Sequence, residues 1–304
     1  MSTMTRTLMN GEVVVNVLSS ALSSAAPGSS LEGRSAEMGT VLEVSIQAFF
    51  LSSPPDTAAA KQPQEDSKSG AEVSLVRPLS DKDVRAEEPF EELTKQRLAI
   101  GDRDFIAALE LALSHSHVGD VLQVRCTSKY AYGATGRPSV VDGRGAGKDG
   151  WPPIAAIPPY ANLEYLVTVT AFHELHTTGL APEELRDSQC VERNRVYQEI
   201  LLRKEVGNRW YHYGDFSSAA RAYAKGAEKG EAFFSEGGME NGPATSASAR
   251  STELGGLLRE VHVSSWNNLA ACHIGQGEFA KAKAACIKVR VACGGGMNGV
   301  CVCG

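Results

Sequence analysis

The chain has 304 residues, a formal net charge of −6, and 42% hydrophobic against 22% charged residues, the composition of a globular protein with room for two ordinary domains. Such mild acidity argues against a nucleic-acid surface, and no window offers the roughly 18 or more uninterrupted apolar residues that a membrane span needs. Seven cysteines, odd in number and crowded toward the end, do not read as a disulfide framework, so a reducing compartment is the simpler expectation.

Gly11 to Leu18 reads as a first strand, followed by a small-residue loop over Ser19 to Gly33. In the next strand Leu42, Val44, Ile46, Ala48 and Phe50 alternate with Glu43, Ser45 and Gln47, giving one apolar and one wet face. From Ser52 to about Glu88 the chain turns polar and proline-bearing, with too few large apolar residues to offset the entropy of ordering. A flexible insertion over 52–88 is expected. The domain resumes at Phe90 or Leu98 and continues through a short helix over Asp104 to Leu111. Leu122, Val124 and Cys126 then alternate with Gln123, Arg125 and Thr127 in a half-buried strand. A final strand places Leu163, Tyr165, Val167 and Val169 on one face, so an antiparallel sheet curled over one helix satisfies every pattern.

Between those last two strands, Tyr130 and Tyr132 precede the bare run Gly133-Ala134-Thr135-Gly136. Two phenols beside a loop that cannot fill a core mark either a pocket rim or a plug for the sheet's open end, and spacing leaves both open. A second insertion over 139–157, rich in glycine and proline, falls on that rim.

Ser128-Lys-Tyr-Ala-Tyr-Gly-Ala-Thr-Gly-Arg-Pro138, followed by Ile157-Pro-Pro-Tyr-Ala-Asn-Leu-Glu-Tyr165, resembles the end of the FKBP-type peptidyl-prolyl isomerase domain, the macrolide-binding immunophilins. Upstream, Leu98-Ala-Ile-Gly-Asp102 and Phe105-Ile-Ala-Ala-Leu109 are similar to the same family's strand and short central helix. The resemblance implies Tyr132 as the hydroxyl donor to the substrate carbonyl and the amide of Ile106 as a second donor. It also implies Phe105, Leu109, Ile157, Tyr165 and Ile46 as pocket walls. Rotation about an X–Pro bond faces a barrier of about 18–20 kcal/mol, and an apolar cleft with one aimed donor favours the twisted amide without covalent chemistry. Several family parts are replaced: Ile46 stands where tyrosine is usual, Gln96 for phenylalanine, Leu109 for the floor tryptophan and Arg137 for a common histidine, while the usual buried aspartate has no counterpart. If each lost contact costs about 1 kcal/mol, three or four predict a rate lower by roughly two or three orders of magnitude. Weak isomerase activity and weak macrolide affinity follow, with proline-containing proteins as clients, and a non-catalytic scaffold keeping the fold is the alternative.

After Leu175 the pattern turns helical, with Pro182-Glu-Glu-Leu as a helix start. Val206-Gly-Asn-Arg-Trp210 leads to Gly214-Asp-Phe216, Ala219 and Tyr223; Trp266, Leu269 and Ala270 lead to Gly277-Glu-Phe279 and Ala282. Superposed on the two glycines, these stretches resemble the tetratricopeptide helix-turn-helix. Details such as Leu109 liken the chain to the divergent, usually membrane-anchored FKBP subgroup that carries such repeats, although no anchor is readable here. Lys204 and Asn208, four apart on one helix face, with Asn268, match the carboxylate clamp of chaperone-binding tetratricopeptide domains. Heat-shock chaperone tails ending in Met-Glu-Glu-Val-Asp are the partner this implies, in the cytoplasm.

The expected fold class is therefore α+β: an FKBP-like domain over 1–175, a linker and connecting helix over 176–203, two repeats over 204–293 with an inserted loop over about 233–257, and a disordered tail over 294–304. No cofactor or metal is expected; His115 and His117 lack partner ligands at metal spacing, and the cysteines of the tail lack a fourth ligand.

Overall fold

The computed structural model describes residues 4–19, 35–52, 79–80, 82–140, 154–236 and 249–292. They fall into two units, one reaching Phe172 and the other starting at His173. The first is an antiparallel sheet of seven strands: β1 (Met4–Leu8), β2 (Val13–Ser19), β3 (Val41–Ser52), β4 (Val84–Arg85), β5 (Glu91–Ala99), β6 (Val121–Cys126) and β7 (Leu163–His173), in the order β1-β2-β6-β7-β3-β4, with β5 also on β3.

Strand alternation decides the core. Leu42, Val44, Ile46 and Ala48 from β3, Leu122, Val124 and Cys126 from β6, and Leu163, Tyr165, Val167 and Val169 from β7 are all buried in one cluster. The helix α1 (Ala107–Leu113) adds Ala108, Leu109, Ala112 and Leu113 to it. Even the wet face carries a buried acid. Glu164, fully buried, accepts from Arg125 Nε at 2.8 Å and from Arg85 Nη1 at 3.4 Å.

Two features of this unit depart from the sequence expectations. β1 is an additional strand, mostly exposed and hydrogen-bonded to β2 through a turn in which Met9, Asn10 and Gly11 all have positive φ; the Asn10-Gly11 pair is a hairpin signal that could have predicted it. The stretch 52–88 is not wholly irregular either. β4 lies within it, and Leu51↔Arg85 and Ser52↔Val84 pair across its base, so only 53–78 and residue 81 lie outside the described residues. The 139–157 stretch is likewise closed at its base by Arg137↔Ile157 and Val140↔Ile154 bridges, with 141–153 outside the described residues.

The second unit is helical: α2 (Ser188–His212), α3 (Phe216–Ser235), α4 (Ala249–Gly275) and α5 (Phe279–Ala292). The start at Pro182 is only a 3₁₀ turn over Glu184–Arg186. The helix proper begins after Asp187, whose carboxylate accepts from the amides of Gln189 and Cys190, the capping that exposed first-turn donors require. A boundary at 204 therefore falls inside one continuous helix. The 233–257 assignment overlaps helix at both ends, since 233–235 close α3 and 249–257 open α4; residues 237–248, and the tail from 293, lie outside the described residues.

The two helix pairs share one turn. Asp215 N donates to Trp210 O at 3.0 Å and Gly214 N to Tyr211 O at 3.0 Å; Glu278 N donates to His273 O at 2.8 Å and Gly277 N to Ile274 O at 3.0 Å. Both glycines are left-handed, at φ +76° and +74°, as this type of helix ending demands. Among the described residues no helix is long and apolar enough to cross a membrane. Cys126, Cys190 and Cys272 are buried free thiols.

Candidate functional site

In the sheet unit the candidate site draws on β3, the start of α1, the loop before β7 and β7. β3 supplies Ile46, the approach to α1 supplies Phe105 and Ile106, α1 supplies Leu109, the loop before β7 supplies Ile157, and β7 supplies Tyr165; all six are buried in the same apolar cluster. Tyr130 and Tyr132, half-buried, pack against it together with Phe90 and Leu93. Thus the residues named from sequence as pocket walls all belong to this unit's buried core, and the two tyrosines pack against that core. Gln96 is not among the residues of that cluster; it is half-buried and its amide nitrogen donates to Thr94 O at 3.0 Å.

Ile106 occupies the position just before α1, with extended backbone (φ −64°, ψ 152°), and its carbonyl accepts from the amides of Leu109 and Glu110. The N–H of a residue so placed points away from the helix's own hydrogen-bond ladder. Behind it, Asp104 is 1% exposed and accepts from Ala99 N at 2.8 Å, while its own amide donates to Glu110 Oε1 at 2.7 Å. These bonds fasten the start of α1 to the end of β5. Burial raises the pKa of Glu110, and the neighbouring Asp104 carboxylate adds to the rise, although backbone donors offset part of it.

The rim holds a charged pair that sequence reading did not foresee. Arg137 Nη1 donates to Glu91 Oε2 at 3.0 Å and to the Tyr132 hydroxyl at 3.3 Å, and Nη2 to Ala155 O at 3.4 Å. The Arg137 side chain is 3% exposed and that of Glu91 14%. The guanidinium carbon also lies 5.3 Å from the Tyr132 ring centroid and 5.9 Å from that of Phe90, within the range of cation–π attraction. Arg137 had been read only as the replacement of a histidine. Its partner is 46 positions away on β5, and no local pattern announces such a pair.

The backbone fixes where this arginine stands. Arg137 N donates to Ile157 O at 2.9 Å and Ile157 N to Arg137 O at 2.8 Å. The preceding Gly136 has φ +63°, and a Cβ there would lie 2.2 Å from Ile157 O, so no other residue fits without moving the strand-like bridge. Deeper in, the Tyr165 hydroxyl is buried and makes no hydrogen bond. Burial, with the Tyr132 phenol as the next contributor, holds its proton well above the ordinary tyrosine range, so Tyr165 is neutral at any working pH.

In the helical unit, Lys204 and Asn208 on α2 are half-buried, and Asn268 on α4 joins them: its amide nitrogen donates to Asn208 Oδ1 at 3.4 Å. The same oxygen accepts from the Tyr223 hydroxyl at 2.6 Å. With Oδ1 engaged twice, Asn208 presents its N–H₂ edge as donor. Tyr223 in turn fills a notch at Gly207, where a Cβ would lie 2.5 Å from the ring. Sequence spacing grouped Lys204, Asn208 and Asn268 but named Tyr223 only as part of the repeat pattern; its hydroxyl fixes the Asn208 amide.

Comparisons with known proteins bear on the sheet unit. Residues 67–170, about a third of the chain, match the family model described as FKBP-type peptidyl-prolyl cis-trans isomerase. A curated relative, FK506-binding protein 5 of Rhizopus delemar, is 28% identical over 135 residues, which is 44% of this chain and 27% of the relative; the chain thus spans about a quarter of that protein's length. Among solved structures, a peptidyl-prolyl cis-trans isomerase from Pseudomonas syringae pv. tomato aligns over 56% of this chain and 81% of its own, at 15% identity and a TM-score of 0.30. The three FKBP domains of wheat FKBP73 align over 56% of this chain and 48% of theirs, at 13% identity and a TM-score of 0.32. The sheet unit is thus similar over residues 67–170 to FKBP-type peptidyl-prolyl isomerase domains, and several helices follow it.

Proposed function

We propose that the sheet unit is a slow peptidyl-prolyl cis-trans isomerase acting on proline-containing protein clients. One observation supports this reading: a phenol, Tyr132, packs half-buried against the apolar core to which Ile46, Phe105, Leu109, Ile157 and Tyr165 belong. A prolyl ring entering beside those side chains would leave its amide desolvated. Tyr132 and the amide of Ile106 would then donate to the carbonyl as it twists, and a donor engaged most strongly in the twisted state lowers the barrier. Each 1.36 kcal/mol so gained is about tenfold in rate. Replacement of the family's floor tryptophan by Leu109 keeps the unit's turnover and its macrolide affinity low.

A protease-coupled proline assay tests this directly. Turnover roughly two to three orders of magnitude below ordinary family rates is expected, falling about a further tenfold in Tyr132→Phe. Ordinary family turnover would overturn the slow-enzyme reading, and an unchanged Tyr132→Phe rate would remove the donor role. The competing reading, a scaffold without catalysis, is favoured by the small floor residue Leu109; it predicts an intact fold and no turnover in wild type.

For the helical unit we infer a tetratricopeptide-like module whose Lys204, Asn208 and Asn268 grip a C-terminal carboxylate. The support is the twofold use of Asn208 Oδ1, which leaves its amide hydrogens as donors one helical turn from Lys204. A carboxylate-ended acidic tail such as Met-Glu-Glu-Val-Asp is the fitting ligand, and a cytoplasmic place of action goes with that partner. Titrating this peptide against wild type and Lys204→Ala should show at least about fivefold weaker binding to the variant, near 1 kcal/mol. No binding to either removes the co-chaperone role.

A further inference from the structure

We infer that Arg137 is a positioning residue for the isomerase site, acting through Tyr132; the inference rests on the isomerase reading above and adds a component to it. The carrying observation is the three-membered chain Glu91–Arg137–Tyr132, in which a guanidinium 3% exposed is held by a carboxylate at 3.0 Å and donates to the phenol oxygen at 3.3 Å.

Three physical consequences follow from that geometry. The phenol oxygen accepts from Arg137, so its own hydrogen is turned away from the guanidinium. A cationic donor on the oxygen also polarises the O–H bond and makes the hydroxyl a stronger donor. Finally, the arginine is itself immobilised, because its backbone is bridged to Ile157 on both sides and Gly136 admits no Cβ. The hydroxyl is thereby aimed before a substrate arrives, and a preorganised donor loses nothing to reorientation in the transition state.

Other charges in reach do not cancel this. Glu91, from β5, accepts from the same Nη1 that donates to the phenol, and Tyr165, from β7, is neutral. The positive group contacts the Tyr132 oxygen directly, at 3.3 Å. Arginine at 137 is thus a working replacement for the family's histidine, and counting it among the lost contacts overstates the loss.

The test is a double-mutant cycle combined with a titration. In the tyrosine enzyme, Arg137→Gln should lower kcat about tenfold at nearly unchanged KM; in a Tyr132→Phe background the same substitution should change kcat less than twofold. Equal losses in both backgrounds, or no loss in either, overturn the inference. Independently of activity, the Cζ resonance of Tyr132 in tyrosine-labelled protein, assigned by its absence in Tyr132→Phe, should titrate about one pH unit higher in Arg137→Gln than in wild type. Coincident midpoints also overturn it. If Arg137→Gln does not fold, both measurements are made on Glu91→Gln/Arg137→Gln, which leaves no buried charge alone. If wild type shows no turnover, the isomerase reading fails while the titration still decides whether Arg137 acts on Tyr132.

Discussion

The two candidate sites are built in opposite ways. The proposed clamp patch comes from helix spacing: Lys204 and Asn208 are one turn apart on α2, and Asn268 meets Asn208 from α4. The prolyl site comes from several segments, and its rim depends on a contact between positions 91 and 137 that belong to different elements. The first kind of site tolerates change as long as two helices keep their distance. The second fails when any one segment shifts, because its donor is held by a buried charge.

The largest expected effect breaks that rim. Glu91→Ala leaves Arg137 buried with its carboxylate removed, which should destabilise the sheet unit by about 3 kcal/mol, read as a drop in the midpoint of urea unfolding. If the midpoint stays within error, the pair is a surface contact and the contrast between the sites dissolves. Next, Gly207→Val drives a side chain into the Tyr223 ring, at a cost of about 1–3 kcal/mol in the helical unit. Because Tyr223 orients Asn208, peptide binding should fall with it while prolyl turnover stays as in wild type; loss of both together would mean that the two sites are not independent.

A smaller effect concerns acid. His262 is 5% exposed, its Nε2 accepts from Trp266 Nε1 at 2.9 Å, and burial lowers its pKa below 6.5. A depressed folded pKa means stability that is complete above the unfolded value of about 6.5 and is lost as pH falls through the folded one. Melting of the helical unit should therefore drop by a few degrees, about 2–4 °C, on going from pH 7 to pH 5, and His262→Gln should flatten that dependence. An unchanged slope would show that another group titrates. Smallest in energy is a kinetic protection: burial pushes the Cys126 thiol up to about 12, so at pH 8 its thiolate is on the order of one part in ten thousand. Iodoacetamide should label Cys126 only after unfolding, and rapid labelling of the native chain would place that strand near solvent.

How much of this the sequence disclosed depends on how local each signal was. Period-2 alternation gave β3, β6 and β7, since Leu42, Val124 and Val167 each sit in an unbroken alternating run. The paired glycines gave both helical turns, because a left-handed residue at a helix end is a one-residue requirement. Tyr132, Ile106 and the apolar walls were reached through a motif. What stayed hidden was non-local. The Glu91–Arg137 pair joins side chains 46 positions apart, and Tyr223 reaches Asn208 across 15. The start of α2 was misplaced by six residues, 182 against 188, since Pro182 is an acceptable helix beginning and Asp187 a better cap.

The bridges at the bases of the two inserted stretches carry a last implication. Ser52 faces Val84, and Val140 faces Ile154, so each intervening stretch leaves and rejoins the sheet at neighbouring backbone positions. To the sheet such a stretch is a single closed detour, and doubling its length adds only about 0.6 kcal/mol of closure entropy. Those two gates are where this domain can exchange, lengthen or shed sequence over generations while the strands around them keep their register.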